Sequence, residues 1–193
     1  MNTLQFFFII LYIAAILSLL YGLWVILPLL YSFLGISIEQ DRIRRALEMV
    51  DLKPNELLYD LGIGDGQVLF IAEEEFRARA IALRANFLQT MFVKARIFLS
   101  GKQAQVYARS ENFYQSDISD ADVVFVYMRS YQAISIQKSI EKKLKAGTRI
   151  VSVSANFPDW KPSDFDDDYL IFLYEMPPQE GGLAAYFAEQ KDF

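Results

Sequence analysis

The pattern of apolar and polar positions divides the chain in two. From Leu4 to Ile38 no charged residue interrupts 35 positions, and every face of any helix drawn through them is apolar. About 20 such residues suffice for a helix to cross a bilayer. Leu4 to Leu27 alone would cover roughly 36 Å at 1.5 Å per residue. The pattern predicts one spanning helix. Pro28, without an N–H and clashing with the preceding turn, predicts a kink or break. Leu29 to Leu34 then reads as a short interfacial helix, with a tight two-helix hairpin as the alternative. Tyr21, Trp24 and Tyr31 suit the interfacial belt. No Lys or Arg precedes Arg42, and so long an apolar run does not resemble a cleaved signal peptide. Arg42, Arg44 and Arg45 come just after the segment, and the positive-inside tendency places the remainder of the chain in the cytoplasm. The expected organisation is a single-pass membrane anchor over 1–38, meeting lipid through residues 4–34, and a second domain over 39–193.

Beyond Glu39 the pattern becomes periodic. Ile43, Leu47 and Val50 mark a helix within Asp41 to Val50. "LLYDL" reads as a buried strand, Gln67 to Phe76 as a helix, "ARAIALR" as a second strand and Phe87 to Ser100 as a second helix. "GKQAQVYARS" turns into a third strand. Asp120 to Met128, "DADVVFVYM", has the continuous apolar character of a strand buried on both faces. A polar helix from about Tyr131 to Leu144 comes next, and "KAGTRIVSVSA" turns through Gly147 into a fifth strand. "NFPDWKPSDFDDD" reads as a loop. "YLIFLYEM" and "LAAYFAEQ", separated by the turn signal "PPQEGG", read as a closing hairpin. Alternating strands and helices before a hairpin predict an α/β fold, a Rossmann-like open sheet that is mostly parallel with one antiparallel edge strand. Ligands of such sheets sit at the carboxyl ends of the strands, near the switch point of strand order.

Composition narrows the chemistry. The 193 residues are 53% hydrophobic, with no cysteine and no histidine. Disulfides, thiolate nucleophiles, the usual zinc sites and histidine bases are thereby excluded, and no metal site is expected. A net charge of −5 without a basic block disfavours nucleic acid as a partner. The acidic run Asp164 to Asp168 reads as a solvated loop, or as an attractor for a basic substrate.

The candidate site is "YDLGIGDGQVLF", Tyr59 to Phe70, where Gly62, Gly64 and Gly66 come after Asp60. Closely spaced glycines let backbone approach a ligand and aim helix N-terminal amides at it; a plain strand-to-helix turn is the alternative. The sixth position from Gly62 is Gln67, so the dinucleotide fingerprint G-x-G-x-x-G fails. Asp60 and Asp65 suit a cation better than a pyrophosphate.

"LLYDLGIGDGQVL" resembles the first motif of class I S-adenosylmethionine-dependent methyltransferases. "SDISDADVVFVYM", "KKLKAGTRIVS" and "NFPDWKP" extend the resemblance, in order and spacing, to the small membrane-anchored branch of that family. That branch includes protein-lysine methyltransferases acting on ATP synthase subunit c and on the ADP/ATP carrier, with prokaryotic relatives. The resemblance covers roughly Asp41 to Pro162. It implies S-adenosylmethionine as cofactor and a protein lysine as acceptor, in a membrane protein where the anchor sets the location. It further implies that Asp60 shapes the loop and meets the methionine ammonium, directly or through water, that the three glycines admit the cofactor, and that Asn112 and Phe113 meet the adenine; Asp65, inside the turn, adds negative charge close to the ligand. Tyr127 would contact the acceptor, with core or rim packing as the alternative; Phe157, Pro158 and Trp160 would line its channel, with a packed loop as the alternative. Where the family places a ribose-binding carboxylate at the end of the second strand, this chain has Arg84; Asn86, two residues on, is the candidate replacement. Arg84 keeps two alternatives open: a degenerate, non-catalytic binding module at the membrane, and an NADP-type reductase, against which the glycine spacing counts.

Overall fold

The computed structural model describes residues 3–33, 38–62 and 64–190. It comprises two units, Met1–Gly35 and Ile36–Phe193.

The first unit is a single helix, α1 (Thr3–Phe33), assigned without interruption through Pro28. The expected break and separate interfacial helix are not found, and Leu34 lies outside the described residues. Strong helix formers flank the proline, so one missing ladder bond does not end the helix. From Phe7 to Trp24 its mean hydropathy is 2.3 and none of the window is buried. Among the described residues it is the one helix long and apolar enough to cross a membrane.

The second unit opens with α2 (Gln40–Met49), then β1 (Leu57–Gly62), α3 (Gln67–Phe76), β2 (Arg79–Leu83), α4 (Phe87–Ser100), β3 (Val106–Arg109) and β4 (Val123–Tyr127). A 3-10 turn at Ser130–Gln132 leads into α5 (Ala133–Glu141) and β5 (Arg149–Val153). The chain closes with β6 (Trp160–Lys161), β7 (Asp164–Asp166), β8 (Ile171–Glu175), β9 (Gln179–Glu180) and α6 (Gly182–Gln190). Seven strands form one sheet in the order β3-β2-β1-β4-β5-β8-β7. The first five pair in parallel, while β8 runs antiparallel to both β5 and β7. Strand order reverses between β1 and β4, the position where a parallel sheet opens a crevice.

Side chains alternate across the sheet. Leu58 and Phe125 enter one core with Leu47, Leu69 and Val93 of the helices. Tyr59, Leu61, Val124 and Val126 enter the other with Ile136 and Ile140 of α5. Val123 to Val126 are fully buried, as a continuous apolar run requires.

The closing segment differs from the expected hairpin. "LAAYFAEQ" is helical, in keeping with its Leu, Ala, Glu and Gln content. The partner of β8 is β7, drawn from the stretch read as a loop. Phe165 holds it there by stacking on Phe172 at 4.7 Å, and Arg45 of α2 pairs with Asp166 at 2.7 Å. The antiparallel strand is therefore internal and the edge belongs to β7.

Candidate active site

The site is built around the carboxyl ends of β1, β2 and β4. Gly62 ends β1 opposite Tyr127 of β4, and a Cβ there would stand 2.9 Å from the Tyr127 carbonyl oxygen. Gly66 starts α3 at φ +81°, and a Cβ would meet Val93 at 3.0 Å. Both glycines are thus demanded by the fold. A Cβ on Gly64 would have only Arg84 Nη2 nearby, at 3.8 Å; this is where the loop leaves room.

Arg84 and Asp60 lie under that loop, 2% and 3% exposed. Arg84 Nη2 donates to Asp60 Oδ2 at 2.5 Å, and Nη1 donates to the carbonyls of Asp60 and Leu83 at 3.0 and 3.2 Å. Arg84 Nε is buried without a partner. The positive charge of Arg84, which alone would repel a sulfonium, is therefore countered by the Asp60 carboxylate. Asp60 Oδ1 accepts no hydrogen bond among the described residues.

Two expected ligand groups serve the scaffold instead. Asp65 accepts from the Gln67 N–H at 3.2 Å and from Gln67 Nε2 at 2.8 Å, and pairs with Arg96 of α4 at 3.2 Å. Arg96 also donates to the Asp65 carbonyl at 2.7 Å and lies over the Phe70 ring at 4.9 Å. Asp65 thus ties the start of α3 to α4. Asn86 is the N-cap of α4, its Oδ1 accepting from Leu88 and Gln89 at 2.8 and 3.3 Å. That oxygen is thus engaged by two helix amides, while Asn86 itself borders the cavity described next.

A cavity of about 240 Å³ opens beside the pair. Of the residues singled out in the sequence it brings together Gly62, Arg84, Asn86, Asn112, Phe113 and Tyr127. Leu61, Leu83, Met128 and Ile136 give it apolar walls, and Gln89, Tyr114 and Gln132 add polar groups that sequence reasoning missed. Their signal was weak: Gln89 lies in the first turn of α4, Tyr114 in the turn after β3 and Gln132 in the 3-10 turn after β4, each without a motif of its own. Asn112 Oδ1 accepts from the Tyr114 N–H at 3.1 Å, leaving its Nδ2 as the remaining donor. Tyr127 is half-buried, and its hydroxyl makes no hydrogen bond among the described residues.

Phe157 and Trp160 do not line this cavity. They are 0% and 2% exposed and pack with Tyr174, ring centroids 4.9 to 5.9 Å apart. The Tyr174 hydroxyl accepts from the Phe157 N–H at 3.0 Å, and burial pushes its pKa well above the usual phenol value. Pro158, the exposed member of the trio, borders a separate surface hollow with Gln137 and Pro177. None of the three lines the cavity beside Arg84: Phe157 is packed in the core, while Trp160 and Pro158 both border that separate hollow. Asp166, Asp167 and Asp168 gather three carboxylates within 4.8 Å, but they lie at the end of the edge strand β7 and Asp166 is held by Arg45.

A family model described as the ANTKMT methyltransferase domain matches residues 60–164, more than half of the chain and all of the strands that frame the cavity from Asp60 onward. A Saccharolobus islandicus protein named protein-lysine N-methyltransferase is 29% identical over 139 residues, covering 68% of this chain and 86% of that protein. The fold is shared with an RNA methyltransferase from Salinibacter ruber solved with S-adenosyl-L-homocysteine, at TM-score 0.71 and 23% identity, over 76% of this chain and 97% of the other. It is shared less fully with a SAM-dependent O-methyltransferase from Thermotoga maritima, at TM-score 0.52 and 18% identity, over 62% and 45% of the two chains. With its glycine turn, switch-point cavity and matched strands, the chain belongs to the ANTKMT methyltransferase domain family and is a class I methyltransferase whose cofactor is S-adenosylmethionine.

Proposed function

We propose that the chain is a membrane-tethered methyltransferase acting on a lysine side chain of a membrane protein. The observation that carries the acceptor is the relationship to the S. islandicus protein-lysine N-methyltransferase, which extends over 86% of that protein. Helix α1 supports the location. Tethering confines the search to the membrane surface and raises effective concentration there. Residues 1–38 would act as anchor and 39–193 as the catalytic domain, facing the cytoplasm by the position of Arg42, Arg44 and Arg45.

The cavity suits the cofactor. Apolar walls beside Asn112, Gln89 and Gln132 match a nucleoside, flat and apolar in the ring and polar at its edges. Phe113 would pack on the adenine, with Asn112 Nδ2 donating to a ring nitrogen. Gln89 is the side chain placed to meet the ribose in place of the missing carboxylate. Asp60 Oδ1 remains to accept from the methionine ammonium, while Arg84 holds the other oxygen.

Bound S-adenosylmethionine supplies a methyl group activated by the positive sulfur. The chain's task is to align the acceptor nitrogen with it and to exclude water, effects that account for most of such accelerations. A lysine must be neutral to attack, and a desolvated entrance favours the neutral amine. We place Tyr127 at that entrance, its free hydroxyl accepting from the amine and orienting the lone pair. Tyr114, hydrogen-bonded to Ser135 at 2.9 Å, offers an aromatic surface for the lysine stem.

The test is incubation of the full chain in lipid nanodiscs with methyl-tritiated S-adenosylmethionine and membrane extract. Mass spectrometry then locates the label. Methyl-lysine in a membrane protein is expected. Label in RNA or lipid would overturn the acceptor, and label confined to soluble proteins would overturn the membrane target.

A further inference from the structure

Helix α4 has an outward face that nothing among the described residues covers. Phe87, Leu88, Met91, Phe92, Phe98 and Leu99 are all exposed, Phe98 at 72% and Leu99 at 83%. Six large apolar side chains on one 14-residue helix exceed the scattered singles of an ordinary surface. The face continues into a groove of about 490 Å³ between α4 and β3, lined by Met91, Ala95, Phe98, Val106 and Tyr107 with Lys94 at its margin. β3 is the open edge of the sheet, pairing only with β2.

Along the sequence, charge in this stretch is one-signed. The chain carries net charge −5, yet residues 76–110 hold seven Lys or Arg and no Asp or Glu. Arg84, Arg96 and Lys102 are paired with carboxylates from elsewhere. Lys94 and Arg109 are exposed and make no ion pair among the described residues.

We propose that the outer face of α4, with the α4–β3 groove, docks on an anionic lipid surface. The proposal rests on the reading of α1 as a membrane tether and adds a second, peripheral contact made by the catalytic domain. An apolar helical face bordered by unpaired cations is what the interface of an anionic bilayer binds. The rings and leucines lie at the acyl boundary and the cations among phosphates. A second copy of the chain fits less well. A two-fold contact would set each cation-bearing face against its own likeness, with no carboxylate from residues 76–110 to meet Lys94 or Arg109. Location adds a functional reason. α4 begins at the cavity, where Asn86 and Gln89 contribute to the lining. Docking through α4 therefore holds the cofactor cavity beside the headgroups, within reach of a lysine flanking a membrane span.

The absence of cysteine makes site-directed labelling direct. Single variants Leu88→Cys, Leu99→Cys, Ile16→Cys in α1 and Glu141→Cys on α5 are labelled with an environment-sensitive fluorophore. The full chain is then placed in phosphatidylcholine–phosphatidylserine nanodiscs with and without lipids brominated along the acyl chain. Positions 88 and 99 are expected to shift to the blue and to be quenched several-fold more than position 141. Lys94→Glu with Arg109→Glu, or nanodiscs of phosphatidylcholine alone, should reduce that quenching while leaving position 16 unchanged. Quenching at 16 with 88 and 99 as unquenched as 141 would overturn the docking face and leave the tether standing. No quenching at 16 would overturn the tether, and with it the proposal. A blue shift at 99 that brominated lipid does not quench, and that grows with copies per nanodisc, would assign the face to self-association instead.

Discussion

At Arg84 the fold and the proposed cofactor site meet in one side chain. Its guanidinium is almost fully buried, bonded to Asp60 by side chain and backbone, and its Nε has no partner. Removing one member of such a pair strands the other charge in the interior, at a cost of about 3–5 kcal/mol. Arg84→Met should therefore lower unfolding stability by that order, and Arg84→Met with Asp60→Asn should recover a large part of it, as read by urea unfolding with circular dichroism. Arg84→Glu, which the family pattern would suggest as a repair, would face Asp60 with a second buried carboxylate and should be worse than Arg84→Met. The glycines separate scaffold from ligand. Gly62→Ala presses a methyl against the Tyr127 carbonyl at 2.9 Å and should cost about 1–3 kcal/mol. Gly64→Ala meets nothing closer than 3.8 Å. It should leave stability nearly unchanged while weakening S-adenosylhomocysteine binding in calorimetry. Arg84 stood out in the sequence as a departure, but its partner could not be read there. The two are 24 residues apart and meet only because β1 and β2 pair in register, Asp60 opposite Ala82.

Among the elements, boundaries were legible where a local cap fixes them. The expected Gln67–Phe76 and Phe87–Ser100 match α3 and α4 to the residue, because Gly66, Asn86 and Gly101 punctuate the chain. β4 was legible because four consecutive apolar residues admit no amphipathic reading. "LAAYFAEQ" was not: a short apolar run fits helix or strand alike until length and neighbours arbitrate. β7 was hidden for the opposite reason, its single inward residue Phe165 standing between aspartates. The Arg45–Asp166 pair that fixes β7 to α2 gives a pH signature. The hydrogen bond from Arg45 holds the Asp166 carboxyl below its ordinary value, against the opposing effect of burial. A depressed folded value means stabilisation present above the unfolded pKa of about 3.9, and lost as pH falls through the lower folded value. Asp166→Asn should thus lower the thermal midpoint slightly at pH 7, by less than about 1 kcal/mol in stability for so exposed a pair. Wild-type and variant midpoints should converge as pH falls through that lowered value.

For the molecule as a whole, the change of pattern at Glu39 is plain in the sequence because charge disappears from an entire stretch and not from one face, while the compact units divide between Gly35 and Ile36. If α1 spans a bilayer, Ile13→Arg with Leu17→Arg should be disruptive, each charge near mid-membrane costing about 2.5–3.5 kcal/mol on insertion scales. Alkaline carbonate extraction should then move the chain from the pellet to the supernatant, while wild type stays in the pellet. The proposed cofactor cavity is lined by residues of the second unit, and on it the whole functional account depends. Calorimetric titration of S-adenosylmethionine into the full chain in nanodiscs tests it most directly. One site with a Kd on the order of 1–100 μM, weakened by Phe113→Ala, is the predicted result. An absence of binding heat in the folded wild-type chain, at several temperatures, would contradict it.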